Sequence, residues 1–153
     1  MKQFVLDSMR KQGRLLALEL QSRAGEMSGT ELYAEDGYIP EFNAARAVKN
    51  MIDRPIGFVC KSSAGRVVKL LQPYDSNIFT AEPEDLPAQW GFVWSKDPAK
   101  ALPFVAISTS PYMKDDCCTD EDATFTSLID NNVWSPGDYP AGWKKVEGGE
   151  SDV

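Results

Sequence analysis

From residue 3 to residue 24 the apolar positions Val5, Met9, Leu16 and Leu20 recur at helical spacing, with Leu15 and Leu18 beside them. This pattern predicts a helix, weakened only at Gly13. Gly25 to Gly37 reads as a break holding a short turn of helix, because the Thr30 hydroxyl can cap Glu31 to Ala34. A second short helix is predicted after Pro40, from Phe42 to Met51, ending before Arg54-Pro55. Beyond that point the period changes. Ile56 to Cys60 and Arg66 to Leu71 are β-prone runs around the turn Ser62-Ser63-Ala64-Gly65. Met113 to Cys118 and Ala123 to Ile129 repeat the arrangement around Thr119 to Asp122. Between the hairpins lies a proline-punctuated connector with β-prone Phe104 to Ser108, and the chain ends in GGESDV, which reads as a disordered tail.

Each hairpin is followed by a similar phrase. DSNIFTAEPEDLPAQW closes on Trp90 and DNNVWSPGDYPAGW closes on Trp143. Aligned from the aspartate, Asp75/Asp130, Asn77/Asn132, Ile78/Val133 and Phe79/Trp134 correspond; with Thr80 and Ala81 set aside, Pro83/Pro136, Pro87/Pro140, Ala88/Ala141 and Trp90/Trp143 follow. Such self-similarity marks a repeated supersecondary unit. The predicted fold class is α+β, an N-terminal helical segment followed by two small antiparallel β modules in tandem. The segments are 1–54 (helical, for oligomerisation or docking), 55–108 (first module plus connector), 109–147 (second module) and 148–153 (tail). A unit of this size has room for few core side chains, so Trp90 and Trp143, kept at the closing position of both copies, are predicted core plugs.

Charge narrows the partners. The formal net charge is -7, and all of it lies beyond residue 54, since eight basic side chains balance eight acidic ones before that point. An acidic module of this kind is repelled by phosphate backbones and anionic membranes, so neither nucleic acid nor membrane is an expected partner. The opening MKQFVLDSMRKQGR alternates charged with apolar residues and lacks the apolar core of a leader. With no histidine in the chain, the usual nucleophilic triads and imidazole metal sites are absent. Cys60, Cys117 and Cys118 read as three buried free thiols, with one bridge from Cys60 to either neighbour as the alternative. The acidic run from Asp115 to Asp122 lacks the spacing of a calcium loop and reads as a solvated turn. Glu84, Asp85 and Asp97 offer carboxylates but no sequence sign of a cleft, so no catalytic residue, metal or cofactor is assigned.

The second copy, PYMKDDCCTDEDATFTSLIDNNVWSPGDYPAGWKKV, resembles small carbohydrate-binding modules of the chitin-binding families five and twelve. It is closest to the version at the C-terminal end of tail-associated proteins of bacteriophages and prophages. The residues that carry the resemblance are Pro111 to Asp115, Phe125 to Trp134, Pro136-Gly137 and Trp143; the stretch from Gly57 to Trp90 is similar in degenerate form. The resemblance implies a short twisted antiparallel β fold that binds an insoluble or surface polysaccharide by aromatic stacking, with Asn, Asp and backbone groups on the hydroxyls. Where the chitin-binding members carry two adjacent exposed aromatics, this chain has Leu128-Ile129-Asp130 and, in the first copy, Gln72-Pro73-Tyr74.

The candidate glycan contacts are therefore Trp134, Tyr139, Tyr74, Phe79 and Asn132. Trp134 and Phe79 either staple an Asx turn or stand exposed beside it. Tyr139 and Tyr74 differ between the copies, so the fold does not demand them. Asn132, with Asp130 and Asn131, either bonds its own turn or meets sugar hydroxyls. The function expected is that of a non-enzymatic virion protein of a phage or prophage, in a tail, baseplate or head fibre, displaying such modules to the host surface. Its expected partners are a host-surface polysaccharide, other virion proteins and further copies of itself. The competing expectation is a decoration or adaptor protein using the same modules for protein contacts.

Overall fold

The computed structural model describes residues 2–146, with side chains from Ser8 onward, and its architecture is α+β: helices first, then two small sheets. The Val5 side chain and the tail predicted over 148–153 lie outside the described residues.

Helix α1 (Lys2–Arg23) runs through Gly13 without a break. Among its described side chains, Leu20 and that of the following Ala24 are fully buried and Leu16 is half-buried, whereas Met9, Leu15 and Leu18 are exposed. Gln21 explains how the helix docks. Its Nε2 donates to the Val59 carbonyl at 2.7 Å and its Oε1 accepts the Val59 N–H at 3.0 Å, so one side chain completes the bare edge of the first sheet. Helix α2 (Gly29–Ala34) is capped by Ser28, not by Thr30 as the sequence suggested. Ser28 and Glu31 form a reciprocal capping box, and the Thr30 hydroxyl instead accepts the Lys96 N–H at 2.9 Å. A Cβ on Gly29 would collide with the Trp94 carbonyl, so only glycine lets this helix meet the connector. Helix α3 (Phe42–Val48) is shorter than predicted; Met51 begins a separate turn, whose Ile52 N–H is capped by the Asn50 side chain.

The first sheet has strand order β1 (Val59–Lys61), β2 (Val67–Leu70), β3 (Trp90–Phe92), all antiparallel. The second has order β4 (Leu102–Pro103), β5 (Cys117–Asp120), β6 (Ala123–Ser127), β7 (Trp143–Lys145). Its three long neighbours are antiparallel, while β4 joins from the connector in parallel to β5. The strand predicted over Phe104 to Ser108 is thus displaced to Leu102–Pro103, although the Phe104 N–H still bonds Thr119. The β5–β6 turn is two residues long, with Glu121 and Asp122 both left-handed (φ 48° and 67°), the twist that closes a tight hairpin.

The repeat is visible in the backbone. Gly57 and Asp115 both have positive φ (92° and 78°), and each donates its N–H to the carbonyl of the same position, Leu70 and Ser127 respectively. Cys60 and Cys118 then occupy one strand position, facing Val68 and Phe125, and Trp90 and Trp143 both open the third strand. This register corrects part of the sequence alignment. Asp75 lies five residues beyond Leu70 as Asn132 does beyond Ser127, so Asp75 corresponds to Asn132 and not to Asp130. Loops of unequal length hid the offset.

The sheets do not stand apart. One face of the first sheet carries Val59 and Val67 against Leu20, Ala24, Leu32, Tyr33 and Ile39. The opposite face carries Cys60, Val68, Leu70, Trp90 and Phe92 into a core that also holds Tyr112, Cys118 and Trp143 of the second module. Phe92, Trp94, Tyr112 and Phe104 stack in sequence, with Trp94 and Tyr112 at 4.2 Å and 14°. The boundaries at 54/55 and 108/109 are therefore changes of role along the chain with continuous packing across them. All three cysteines are free and buried, and burial raises each thiol, Cys118 to about 12, so they remain neutral at pH 7.

An ion pair within the first module holds an arginine that also reaches the second sheet. Arg66 Nη1 meets Glu84 Oε2 at 2.8 Å in a largely buried setting, Ser62 Oγ donates to the same oxygen at 2.7 Å, and Arg66 Nη2 donates to the Pro103 carbonyl at 2.7 Å. Its Nε is buried without a partner. Removing one member strands the other charge, so Glu84→Ala is expected to cost about 3 kcal/mol in urea unfolding, and the double variant Arg66→Met/Glu84→Leu to recover most of that loss.

Candidate functional site

The loop between β6 and β7 presents the two most exposed aromatic rings of the second module, Trp134 (49 % exposed) and Tyr139 (40 %). Their centroids are 5.5 Å apart and the planes meet at 70°. The rings therefore make a corner, not a continuous flat platform. Ile129, Asp130, Asn131 and Asp138 complete an open cleft of about 630 Å³ around it.

The sequence builds this corner from below. Asn132 is fully buried; its Nδ2 donates to Ser127 Oγ and to the Gly142 carbonyl, both at 3.1 Å, and its Oδ1 accepts the Trp134 N–H at 3.3 Å. The Trp134 carbonyl accepts the indole N–H of Trp143 at 2.8 Å. Both backbone groups of Trp134 are thus held by core side chains while its ring stays in solvent. Asn131 is left-handed (φ 56°), a conformation asparagine tolerates. Asp130 Oδ1 accepts the Lys114 N–H at 3.0 Å, which ties this loop to the strand entry of β5. Gly142 lets Tyr139 lie close, because a Cβ there would stand 2.7 Å from Tyr139 Cδ2.

Two candidates leave the site. Tyr74 is 6 % exposed, and its hydroxyl accepts the Trp90 indole N–H at 2.9 Å, so it satisfies a buried donor and has no face for a sugar. Asn132 is the scaffold just described, with no surface to offer. Phe79 is exposed beside Ile78, in the first module, and does not line the corner. Trp90 and Trp143 are both buried. Asp130, Asn131 and Asp138 line the cleft, the first two being residues that the sequence left between a turn and sugar contacts; Asp130 serves a backbone across the loop, which spacing cannot reveal. Among the carboxylates considered for catalysis, Glu84 is held by Arg66 and Asp97 caps the Ala99 N–H of its own turn. Asp116 is buried, accepts the Met113 N–H at 2.8 Å and pairs with Lys96 at 3.3 Å, so this member of the acidic run organises the entry to β5.

The corresponding loop of the first module is locked by carboxylates. Asp75 is held below its ordinary value of 3.8 by the Asn50 side chain and the Asn77 N–H. Burial pushes Glu82 up, but the Ser63 N–H, Asn43, the Ser63 hydroxyl and Arg46 outweigh it and hold the group below 4.5. Lowered folded values give stability that is complete above the unfolded values and is lost as pH falls through the folded ones. The urea midpoint is expected to hold above about pH 5 and to fall below about pH 4, with a shallower fall for Glu82→Gln. A parent and variant with identical acid limbs would refute the assignment.

Gly142→Ala is expected to push the Tyr139 ring off Trp134, changing the near-ultraviolet circular dichroism and the Trp134 emission while far-ultraviolet dichroism is retained. Unchanged aromatic signals would show that the corner does not depend on this approach. Compared with known proteins, the chain matches no protein-family model, no curated protein and no solved structure.

Proposed function

We propose that the protein is a non-enzymatic virion component of a phage or prophage, in a tail, baseplate or head fibre, and that its second module displays the Trp134–Tyr139 corner to a host-surface glycan. The observation that carries the reading is a half-exposed tryptophan whose backbone is fixed at both polar groups by buried side chains. A pre-set aromatic face loses little conformational entropy on binding. Aromatic faces stack on the apolar faces of pyranose rings, and Asp130, Asn131 and Asp138 are placed to take hydroxyls. A 70° corner suits one sugar ring laid on one aromatic with its edge against the other. This favours a soluble chain or chain end over the flat face of a crystalline polymer. Single-site affinity in the millimolar range, about -4 kcal/mol, becomes useful when many copies are displayed together.

A second reading, an adaptor or decoration protein, draws on α1, where Met9, Leu15 and Leu18 are exposed. It shares the virion setting and differs in what the exposed apolar surface meets.

The test is tryptophan fluorescence titrated with soluble oligosaccharides and host-wall fragments, using the parent and Trp134→Ala. A saturable shift in the parent, weakened roughly tenfold or more in the variant, is the expected result, since losing one stacked ring is worth about 1.5 kcal/mol. A flat response of the parent to every glycan would overturn the glycan reading and leave the adaptor.

A further inference from the structure

We infer that the Trp134–Tyr139 corner receives an ammonium group, carried by an amino sugar whose nitrogen is not acylated. The inference rests on the glycan reading above and specifies its chemistry. Trp134 and Tyr139 meet edge to face, with centroids 5.5 Å apart and planes at 70°, and both line one open cleft, to which the half-exposed rings offer π surface. Such a corner attracts a cation through the ring quadrupoles, and attracts a neutral group far less.

The remaining lining has the matching sign. Of Ile129, Asp130, Asn131 and Asp138, two are aspartates and none is basic. Asp130 is oriented by the Lys114 N–H on Oδ1, and Asp138 by its own N–H on Ser135, whose Oγ and carbonyl accept at 3.0 and 3.1 Å. Lys114 meets this loop through its backbone, and its carbonyl accepts the Lys96 ammonium at 3.1 Å; neither lysine lines the corner. A site for a neutral sugar would be served as well by amides or hydroxyls, which leave no net field. Two carboxyl side chains without a basic neighbour in the lining bias the cleft toward positive charge. The acidic excess of the chain beyond residue 54 adds to that field and turns away phosphate-bearing and carboxylated polymers. An acetylated nitrogen keeps one N–H to donate but carries no formal charge, so it gains far less than an ammonium from the rings' quadrupoles and the aspartates.

The experiment titrates the full chain, at fixed ionic strength, with a glucosamine tetramer, its fully N-acetylated counterpart and tetramethylammonium chloride, following Trp134 emission and calorimetric heat. The glucosamine tetramer is expected to bind at least tenfold tighter than the acetylated one, to be competed by tetramethylammonium, and to weaken with added salt. Asp138→Asn, which keeps shape and the Ser135 contacts, is expected to weaken the glucosamine tetramer several-fold more than the acetylated one. Equal binding of the two tetramers would overturn the ammonium inference and leave the glycan reading standing. Binding of tetramethylammonium with neither tetramer would support an ammonium site and overturn the glycan reading. No response to any of the three overturns the inference outright, and Trp134→Ala, which retains the other three tryptophans, gives by difference the part of each signal that comes from the corner.

Discussion

Strands of three to five residues cannot bury a tryptophan by themselves, and this limit organises the molecule. Neither the first sheet nor strands β5 to β7 of the second have enough surface to cover the closing indole. The stack from Phe92 through Trp94 and Tyr112 to Phe104 joins the two units and covers Trp143, which is edge-on to Tyr112 and Phe104, while Trp90 is met edge-on by Phe42 of α3 and by Tyr74. The helices solve the other half, since α1 and α2 cover the outer face of the first sheet and Gln21 satisfies its edge. Arg66 then links the first hairpin to the start of the second sheet through Pro103. What begins as two copies of one unit is held as a single packed body.

The same limit explains why a surface ring can be so firmly placed. The Trp143 indole must find an acceptor once it is buried, and the acceptor it finds is the Trp134 carbonyl. In the first copy the equivalent indole is satisfied by the Tyr74 hydroxyl, so that loop has no need to bring an aromatic backbone near the core. One buried donor, answered in two ways, separates a module with an exposed aromatic corner from one whose tyrosine is interior. Asn132 completes the arrangement by satisfying the Trp134 N–H from beneath.

Legibility in the sequence followed the periodic elements and the repeated closing tryptophan. The α+β order, both hairpins and the helix across Gly13 were readable from apolar spacing alone. Thr30 drew attention as a cap because it sits before an acidic residue, yet the capping box with Glu31 belongs to Ser28, and only the position of Trp94 against Gly29 fixes where α2 can start. Trp94 itself lies between the copies and has no counterpart, so a reading based on repetition gave it no role. Tyr74 is a candidate contact because it differs between the copies, and Asn132 because a turn asparagine can meet sugar hydroxyls. Their burial follows from partners distant in sequence, the Trp90 indole that donates to Tyr74 and the Gly142 carbonyl that accepts from Asn132. The corner emerged only when Asp130, Asn131 and Asp138 were brought beside the two rings by the loop's closure on Ser127 and Gly142.

The shared stack also bears on how such a chain can change over time. A self-contained module can be copied, shuffled or lost as a cassette, leaving its neighbours intact. Here Trp94, contributed by the connector, lies between Phe92 of one half and Tyr112 of the other, and Tyr112 stacks on Phe104 as well. Excising either half would open the interior of the other, so the two halves cannot be exchanged as separate cassettes, and change that leaves the stack intact is confined to loops such as the one that carries Trp134.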